Sequence, residues 1–276
     1  MTALDTLARL LRARSGLVVG PDKLYLLETR LAPMLRREGL PDLDTLAQHL
    51  LSHGDASPLM QEVVEAMATH ETLFFRDPRR FVHLQEQGLP ALARARPPGQ
   101  ALRIWSAAAS TGQEAYSLAM AAVECQAALA GRKVQIIGTD IARPPLARAR
   151  AGLYTQFEVQ RGLPVQRLLT YFDQQGDSWR VRPQLRALCE FRTWNLLDDP
   201  APLGCFDVVF CRNVLIYFDT DTKAQVLASI ARQMAPDGLL YLGGAETAIG
   251  ISPCFEPDEQ EHTVYRPVRM RQESAA

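Results

Sequence analysis

Residues 102–114 read LRIWSAAASTGQE, a short apolar run followed by small residues that lead into a helical pattern. A short apolar run followed by a helical pattern recurs at 134–152 and at 206–234, before a final apolar run at 239–243. Strands that alternate with helices in this way predict an α/β fold, in which helices cover a mostly parallel sheet. We therefore expect the apolar runs to be the strands of one such sheet.

The residues before this pattern are predicted to be helical. Between residues 4 and 67 the apolar side chains recur three and four positions apart, which is typical of amphipathic helices. The two patterns meet near Arg96-Pro97-Pro98-Gly99, a Pro/Gly cluster of the kind that separates domains. We predict a small N-terminal helical bundle at 1–75, a linker at 76–98 and an α/β domain at 99–276.

One segment interrupts the alternation of strands and helices. Gly176-Asp177 lies between two strand-like stretches, which is the pattern of a β-hairpin. We therefore expect a small antiparallel β-subdomain at about 172–193, inserted between elements of the main sheet.

Composition excludes several classes of protein. The 276 residues are 47% apolar and 22% charged, as in soluble globular proteins, and the net charge of −1 lacks the basic excess of most nucleic-acid binders. The five cysteines form no CxxC pair, so we predict neither a disulfide framework nor a metal site. The N-terminal residues contain no long apolar span, so we expect a cytoplasmic protein that does not insert into a membrane.

The loop that follows the first strand is suited to binding a ligand. In open α/β sheets ligands bind at the carboxyl ends of the strands, and here residues 106–114 are small enough for a ligand to approach the backbone. About 30 residues later Asp140 ends the second strand, where a carboxylate can accept hydrogen bonds from both hydroxyls of a ribose. Together these features predict a nucleoside cofactor. Two alternatives stay open: Asp140 could cap the next helix, and the small residues could serve tight packing.

The number of glycines in this loop distinguishes a dinucleotide from S-adenosylmethionine. A dinucleotide pyrophosphate normally requires three glycines in this loop, and only Gly112 is present. S-adenosylmethionine carries no phosphate, and its polar groups could be met by Glu114, Asn195, Arg212 and Asn213. These residues favour a methyltransferase over a dehydrogenase.

Three longer motifs resemble the CheR-type chemotaxis receptor methyltransferases, and the similarity spans nearly the whole chain. The motifs are ETLFFRD (71–77), WSAAASTGQEAYS (105–117) and FCRNVLIYF (210–218), with NLL (195–197) and PDGLL (236–240) as further matches. The resemblance implies a helical domain, a linker and a Rossmann-like S-adenosylmethionine-dependent domain with an inserted β-subdomain. It also implies methyl transfer to glutamate side chains in the cytoplasmic helical region of chemoreceptors, with recruitment to membrane-bound receptor arrays and S-adenosylhomocysteine as the product.

The resemblance carries over to individual residues by motif position. It implies cofactor contacts from Thr72, Arg76, Glu114, Asp140, Asn195, Leu196, Arg212 and Asn213, with Arg76 and Tyr217 beside the methyl group. Arg76 could orient the acceptor carboxylate or fix the cofactor, and Tyr217 could donate a hydrogen bond or form a wall of the pocket. No general base is needed, because the pKa of glutamate, about 4.3, leaves it ionised near neutral pH.

The chain departs from the family pattern at three places. His70 stands where members often have Asn, and Gln113 where many have Glu. The turn near Gly176 is short compared with members that dock a receptor pentapeptide, so we expect the pentapeptide-independent subgroup.

The resemblance also implies a basic stripe on the helical domain for receptor binding. The candidates are Lys23, Arg30 and Arg37, which recur every seven residues. An ordinary solvated helix face is the alternative reading of these three residues.

Two rival functions stay open at this stage. One is a methyltransferase that has the same sheet but acts on small molecules or nucleic acid. The other is a signalling module that binds the cofactor without catalysis.

Overall fold

The computed structural model describes residues 2–53, 57–259 and 261–268, so the predicted domain ends at residues 1 and 276 lie outside the described ranges. The helices are α1 (Ala3–Ser15), α2 (Tyr25–Glu38), α3 (Leu43–His53), α4 (Pro58–Met67), α5 (Pro78–His83), α6 (Leu89–Ala95), α7 (Gln113–Glu124), α8 (Arg143–Ala151), α9 (Gln156–Gln160), α10 (Val165–Tyr171), α11 (Pro183–Arg186) and α12 (Thr220–Arg232). The strands are β1 (Leu102–Ala107), β2 (Val134–Asp140), β3 (Leu153–Thr155), β4 (Phe172–Gln175), β5 (Ser178–Val181), β6 (Cys189–Thr193), β7 (Phe206–Cys211), β8 (Met234–Leu242), β9 (Phe255–Pro257) and β10 (Val264–Pro267).

The main sheet has the strand order β6-β2-β1-β7-β8-β10-β9. Neighbouring strands from β6 to β8 run parallel, whereas β10 is antiparallel to both β8 and β9. The prediction of a mostly parallel sheet is therefore confirmed. The last parallel strand begins at Met234, five residues before the predicted start at 239.

Apolar residues alternate between the two faces of the parallel strands, and both faces are buried. One face carries Ile104, Ile136, Val208 and Leu239, which pack against the helices on that side. The other face carries Trp105, Ile137, Val209 and Leu240, which pack against a second cluster that includes α12. Burial on both faces explains why the strands are continuous apolar runs.

The N-terminal helices form the predicted bundle with a core of its own. This core contains Leu7, Leu11, Leu27, Leu31 and Leu46, each with no exposed surface. Thr2 and Asp5 form a capping box at the start of α1, and Gly39 ends α2 in the left-handed conformation. In the described part of the chain, no helix is both long and apolar enough to cross a membrane.

The segment between the bundle and the sheet, predicted as a linker at 76–98, is helical and packed. It consists of α5, a π turn at Leu84–Gly88 and α6, and it buries Phe81, Leu84 and Leu89. At its end the guanidinium of Arg96 donates hydrogen bonds to Asp207 at 2.6 Å and to both carboxylate oxygens of Asp237 at 2.7 Å. The hydrogen bonds from Arg96 lower the pKa of Asp237, and these bonds join the segment to β7 and β8.

The predicted hairpin is confirmed, although its surroundings differ from the expected 172–193. The strands β4 and β5 are joined by Gly176 and Asp177, and β3 completes a three-stranded sheet in the order β3-β5-β4. Residues 189–193 instead form β6, which pairs with β2 in the main sheet. This pairing is possible because Gly138 leaves room for the Phe191 ring, whose nearest atom would lie 2.7 Å from an added Cβ.

We expect Arg96→Leu to lower the free energy of unfolding by about 3 kcal/mol, because it leaves the buried carboxylate of Asp207 without its charged partner. Urea unfolding followed by circular dichroism measures the change. The control is Arg192→Leu, which breaks an exposed pair with Glu190 and should cost less than about 1 kcal/mol. Equal losses in the two variants would contradict a structural role for the Arg96 cluster.

Candidate functional site

A cleft that opens to solvent lies at the carboxyl ends of β1, β2, β6 and β7, with about 880 Å³ of space when the adjoining open solvent is included. All nine residues predicted for the site are among those that line this cleft: Thr72, Arg76, Glu114, Asp140, Asn195, Leu196, Arg212, Asn213 and Tyr217. The structure thus brings together residues that are up to 145 positions apart, counting from Thr72 to Tyr217. Their individual roles stay predictions.

The loop after β1 approaches the cleft in a tight conformation. Ala108 and Ser110 have positive φ angles of 59° and 51°, and Gly112 has φ of 93°. A Cβ on Gly112 would lie 2.8 Å from that of Ala149, so this position needs glycine for space as well as for conformation. The small residues therefore allow the turn and the packing of α7 on α8, as the packing alternative proposed, and they also line the cleft.

Asp140 lies at the end of β2 with its side chain turned back to two loops. One carboxylate oxygen accepts the N–H of Ser110 at 2.8 Å, and the other accepts the N–H of Ala142 at 2.9 Å. Burial raises the pKa of Asp140, and these two hydrogen bonds oppose the rise. Because a carboxylate oxygen can accept two hydrogen bonds, each retains capacity for a ligand hydroxyl. Asp140 thus bonds the backbone just before α8 but does not cap this helix, which begins after Ala142 without a side-chain cap, and it also lines the cleft.

Glu114 and Arg212 form a buried ion pair in the floor of the cleft. The side chain of Arg212 is 1% exposed, and it donates to Glu114 at 3.0 Å, to Asp77 at 2.6 Å and to the carbonyl of Arg76 at 2.7 Å. The other oxygen of Glu114 accepts the hydroxyl of Ser106 at 2.8 Å. Burial raises the pKa of Glu114, whereas the charge of Arg212 lowers it. Arg212 is therefore placed to support Glu114 and the Arg76 loop.

The Arg76 loop is held in a strained conformation. Phe75 and Asp77, on either side of Arg76, have positive φ angles of 49° and 55°. The N–H of Phe75 donates to Ser117 at 3.0 Å, and the guanidinium of Arg167 lies 4.0 Å from the centre of the Phe75 ring. Among the described residues, the guanidinium of Arg76 itself makes a single long contact, 3.5 Å to the carbonyl of Glu71. It is therefore free to meet a ligand in the cleft.

The end of α1 forms part of the cleft, which was not predicted. Ser15 and Leu17 line it, the N–H of Val18 donates to the carbonyl of Tyr217 at 2.9 Å, and Asn195 donates to the carbonyl of Arg14 at 2.6 Å. The sequence signal was Gly16, which ends α1. Its contact with α12 and the Phe218 ring, at 3.0–3.1 Å from an added Cβ, depends on tertiary structure.

His70 also lines the cleft. Its ring lies 3.4 Å from the carbonyl of Glu65, and its own carbonyl accepts the hydroxyl of Ser110 at 2.8 Å. Within the described ranges, no group of three or more His, Cys, Asp and Glu side chains is arranged to hold a metal ion.

The three residues predicted to bind a receptor differ in their contacts. Lys23 is exposed in a 3-10 turn before α2, and Arg37 pairs with Glu38 and Glu62. Arg30 donates to the carbonyls of Met67 and Ala68, so it holds the end of α4. Arg30 and Arg37 thus both have partners in the structure, and the role of all three residues in receptor binding stays a prediction.

The cleft suits a nucleoside with a charged tail. Leu17, Ile141, Leu196 and Val214 provide apolar surface for a base, and Asp140 provides acceptors for ribose hydroxyls. Glu114 provides a negative charge for an amino group, and Arg76 provides a positive charge for a carboxylate. These donors and acceptors fit S-adenosylmethionine.

Comparisons with known proteins agree with this assignment. Residues 2–68 match the family model described as CheR methyltransferase, all-alpha domain, and residues 70–263 match CheR methyltransferase, SAM binding domain. The chain is 44% identical over 235 residues to chemotaxis protein methyltransferase 1 of Pseudomonas aeruginosa, covering 84% of this chain and 85% of that protein. It is 40% identical over 245 residues to chemotaxis protein methyltransferase Cher2 of Pseudomonas putida, covering 87% and 88%.

A solved structure of the glycopeptide N-methyltransferase MtfA with S-adenosylmethionine is 15% identical, with a TM-score of 0.33, covering 56% of this chain and 51% of that chain. The two family models together span nearly the whole chain, and the division between them falls at the end of the helical bundle. The chain belongs to the CheR methyltransferase family, and it is an S-adenosylmethionine-dependent methyltransferase of chemotaxis.

Proposed function

We propose that this methyltransferase esterifies glutamate side chains in the cytoplasmic helical region of chemoreceptors, with S-adenosylhomocysteine as the second product. The observation that carries the proposal is the guanidinium of Arg76, which lines the cofactor cleft with a single long contact of its own. A free guanidinium at this place suits a carboxylate acceptor, because two of its N–H groups can donate in parallel to the two carboxylate oxygens. The names of the relatives add that the reaction serves chemotaxis.

The chemistry requires positioning and not proton transfer. S-adenosylmethionine supplies a methyl group that its positive sulfur activates towards a nucleophile. The acceptor carboxylate is already ionised near neutral pH, since the ordinary pKa of glutamate is about 4.3. Alignment of the carboxylate oxygen with the methyl carbon is therefore the main task of the protein.

Different residues of the cleft bind the cofactor and align the acceptor. Asp140 accepts the ribose hydroxyls, Glu114 faces the cationic amino group, and Thr72, Asn195, Leu196 and Asn213 complete the walls. Arg76 orients one or both oxygens of the acceptor, and Tyr217 also lines the cleft, where its hydroxyl can donate a hydrogen bond. Arg212 acts through Glu114 and the Arg76 loop, because its own side chain is buried.

The short hairpin supports membership of the pentapeptide-independent subgroup. Only Gly176 and Asp177 join β4 to β5, so the inserted sheet presents no long loop to hold a receptor tail. Receptor recognition then falls to the helical bundle, with Lys23 and Arg37 among its exposed cations.

Incubation with methyl-labelled cofactor and receptor membranes should give base-labile methyl esters on receptor glutamates. Arg76→Ala should lower the rate about 100-fold, because the acceptor loses its alignment, with a much smaller change in cofactor affinity. The control is Arg79→Ala, which removes an exposed neighbouring charge. Label that is stable to base, or label in nucleic acid or small molecules, would refute the glutamate acceptor, and so would full activity in folded Arg76→Ala protein.

Asp140→Asn should weaken binding of S-adenosylhomocysteine 10- to 100-fold, which is roughly the strength of hydrogen bonds to a charged acceptor. Isothermal titration calorimetry measures the dissociation constant. Asp177→Asn changes an exposed carboxylate in the hairpin turn and serves as the control. An unchanged affinity in folded Asp140→Asn protein would exclude the ribose contact.

The double variant Lys23→Ala/Arg37→Ala should weaken receptor binding about 3- to 10-fold at low salt, and the difference should shrink at high salt. Arg94→Ala/Lys133→Ala removes two other exposed cations and should have little effect. Binding of the labelled protein to receptor membranes, measured by sedimentation at two salt concentrations, compares the two. A similar effect of both double variants would show that only net charge matters.

A further inference from the structure

Glu246 makes an unusual set of contacts beside the cleft. One carboxylate oxygen accepts the N–H groups of Asn213 and Gly243, both at 2.7 Å, and the other accepts those of Val214 at 3.0 Å and Ile216 at 3.3 Å. Three of these four donors belong to the loop 213–217 that follows β7. A single side chain thus satisfies most of the free N–H groups of a loop that lines the site.

The loop needs this acceptor because its backbone is irregular. Asn213 has a positive φ of 58°, and Leu215–Tyr217 form a single 3-10 turn, so the N–H groups of 213, 214 and 216 lack partners in the sheet or in a long helix. Asn213, Val214 and Tyr217 all line the cleft. The conformation of the loop therefore determines the shape of that wall.

Gly243 makes the approach of Glu246 possible. A Cβ at this position would lie 2.6 Å from the carboxylate of Glu246 and 2.8 Å from the side-chain amide of Asn213. The adjacent Gly244 has no neighbour within 4 Å of an added Cβ. The crowding is therefore specific to the glycine in contact with the carboxylate.

We propose that Glu246 is a positioning residue for methyl transfer, which holds the loop 213–217 and with it the side chains of Asn213 and Tyr217 at the cleft. The effect on acceptor turnover rests on the proposed function. The effect on the loop and on the cofactor does not depend on the identity of the acceptor. Glu246 acts through backbone hydrogen bonds and needs no contact with either substrate.

Two variants test the proposal by different routes. Glu246→Gln removes the charge and replaces one acceptor oxygen with a donor that faces two N–H groups, whereas Gly243→Ala keeps the carboxylate and displaces it. The matched controls are Glu256→Gln, an exposed carboxylate in β9, and Gly244→Ala. Each variant is first checked for a native circular dichroism spectrum and melting temperature. If either variant fails to fold, the other decides the outcome.

Hydrogen exchange measured by mass spectrometry reports on the loop itself. We expect both variants to exchange the amides of 213–216 about 10-fold faster or more than wild type, with no such change in the controls. We expect the affinity for S-adenosylhomocysteine to fall several-fold. For methyl transfer to receptors, kcat should fall 10- to 100-fold while KM for the receptor changes little, because alignment and not docking is lost.

Each result bears on the proposal separately. Wild-type exchange in a folded variant would overturn it, as would faster exchange with unchanged cofactor affinity and unchanged kcat. If the wild-type protein methylates no receptor, the proposed function fails. The hydrogen-exchange and cofactor-affinity measurements then still test the role of Glu246, because they do not depend on the acceptor.

Discussion

The guanidinium of Arg212 holds together three segments that are distant in the sequence. It is buried at the end of β7, where it joins Glu114 at the start of α7 to Asp77 and the Arg76 carbonyl in the loop before α5. Removing one partner from such a buried cluster would leave charges without compensation, which is far more costly than loss of a surface pair. The floor of the cleft therefore depends on all members of the cluster being present at once.

Backbone strain is concentrated around the same floor. Among the described residues other than glycine, those with positive φ are Phe75, Asp77, Ala108, Ser110, Ala130 and Asn213, and all but Ala130 belong to loops that form the cleft or its support. Such conformations persist only where surrounding contacts hold them. Here those contacts are hydrogen bonds to Ser117, Asp140, Arg212 and Glu246. The site is thus preorganised by polar side chains and not by regular secondary structure.

Much of this architecture could be predicted from local patterns. The apolar runs marked the parallel strands, and the residues after each strand marked the cleft, because ligands bind at the carboxyl ends of such strands. Two kinds of feature could not be predicted. The partners of Arg30 and Arg212 depend on tertiary distances, so no local pattern reveals that Arg30 bonds the end of α4 or that Arg212 is buried in an ion cluster. The pairing of 189–193 with β2 depends on space above Gly138, which no local pattern reveals.

The contribution of α1 to the cleft has a consequence for cooperativity. Ser15 and Leu17 come from the bundle, whereas Asp140 and Leu196 come from the sheet, so a ligand in the cleft touches both parts of the molecule. A ligand that binds only when α1 is packed against the α/β domain stabilises that packing by its binding free energy. If a ligand stabilises the packing of α1 against Tyr217 by a given factor, thermodynamic linkage requires that loss of this packing lowers the affinity for the ligand by the same factor. The bundle that is proposed to meet the receptor therefore also contributes a wall of the cleft, and the packing of α1 and the binding of a ligand are coupled equilibria.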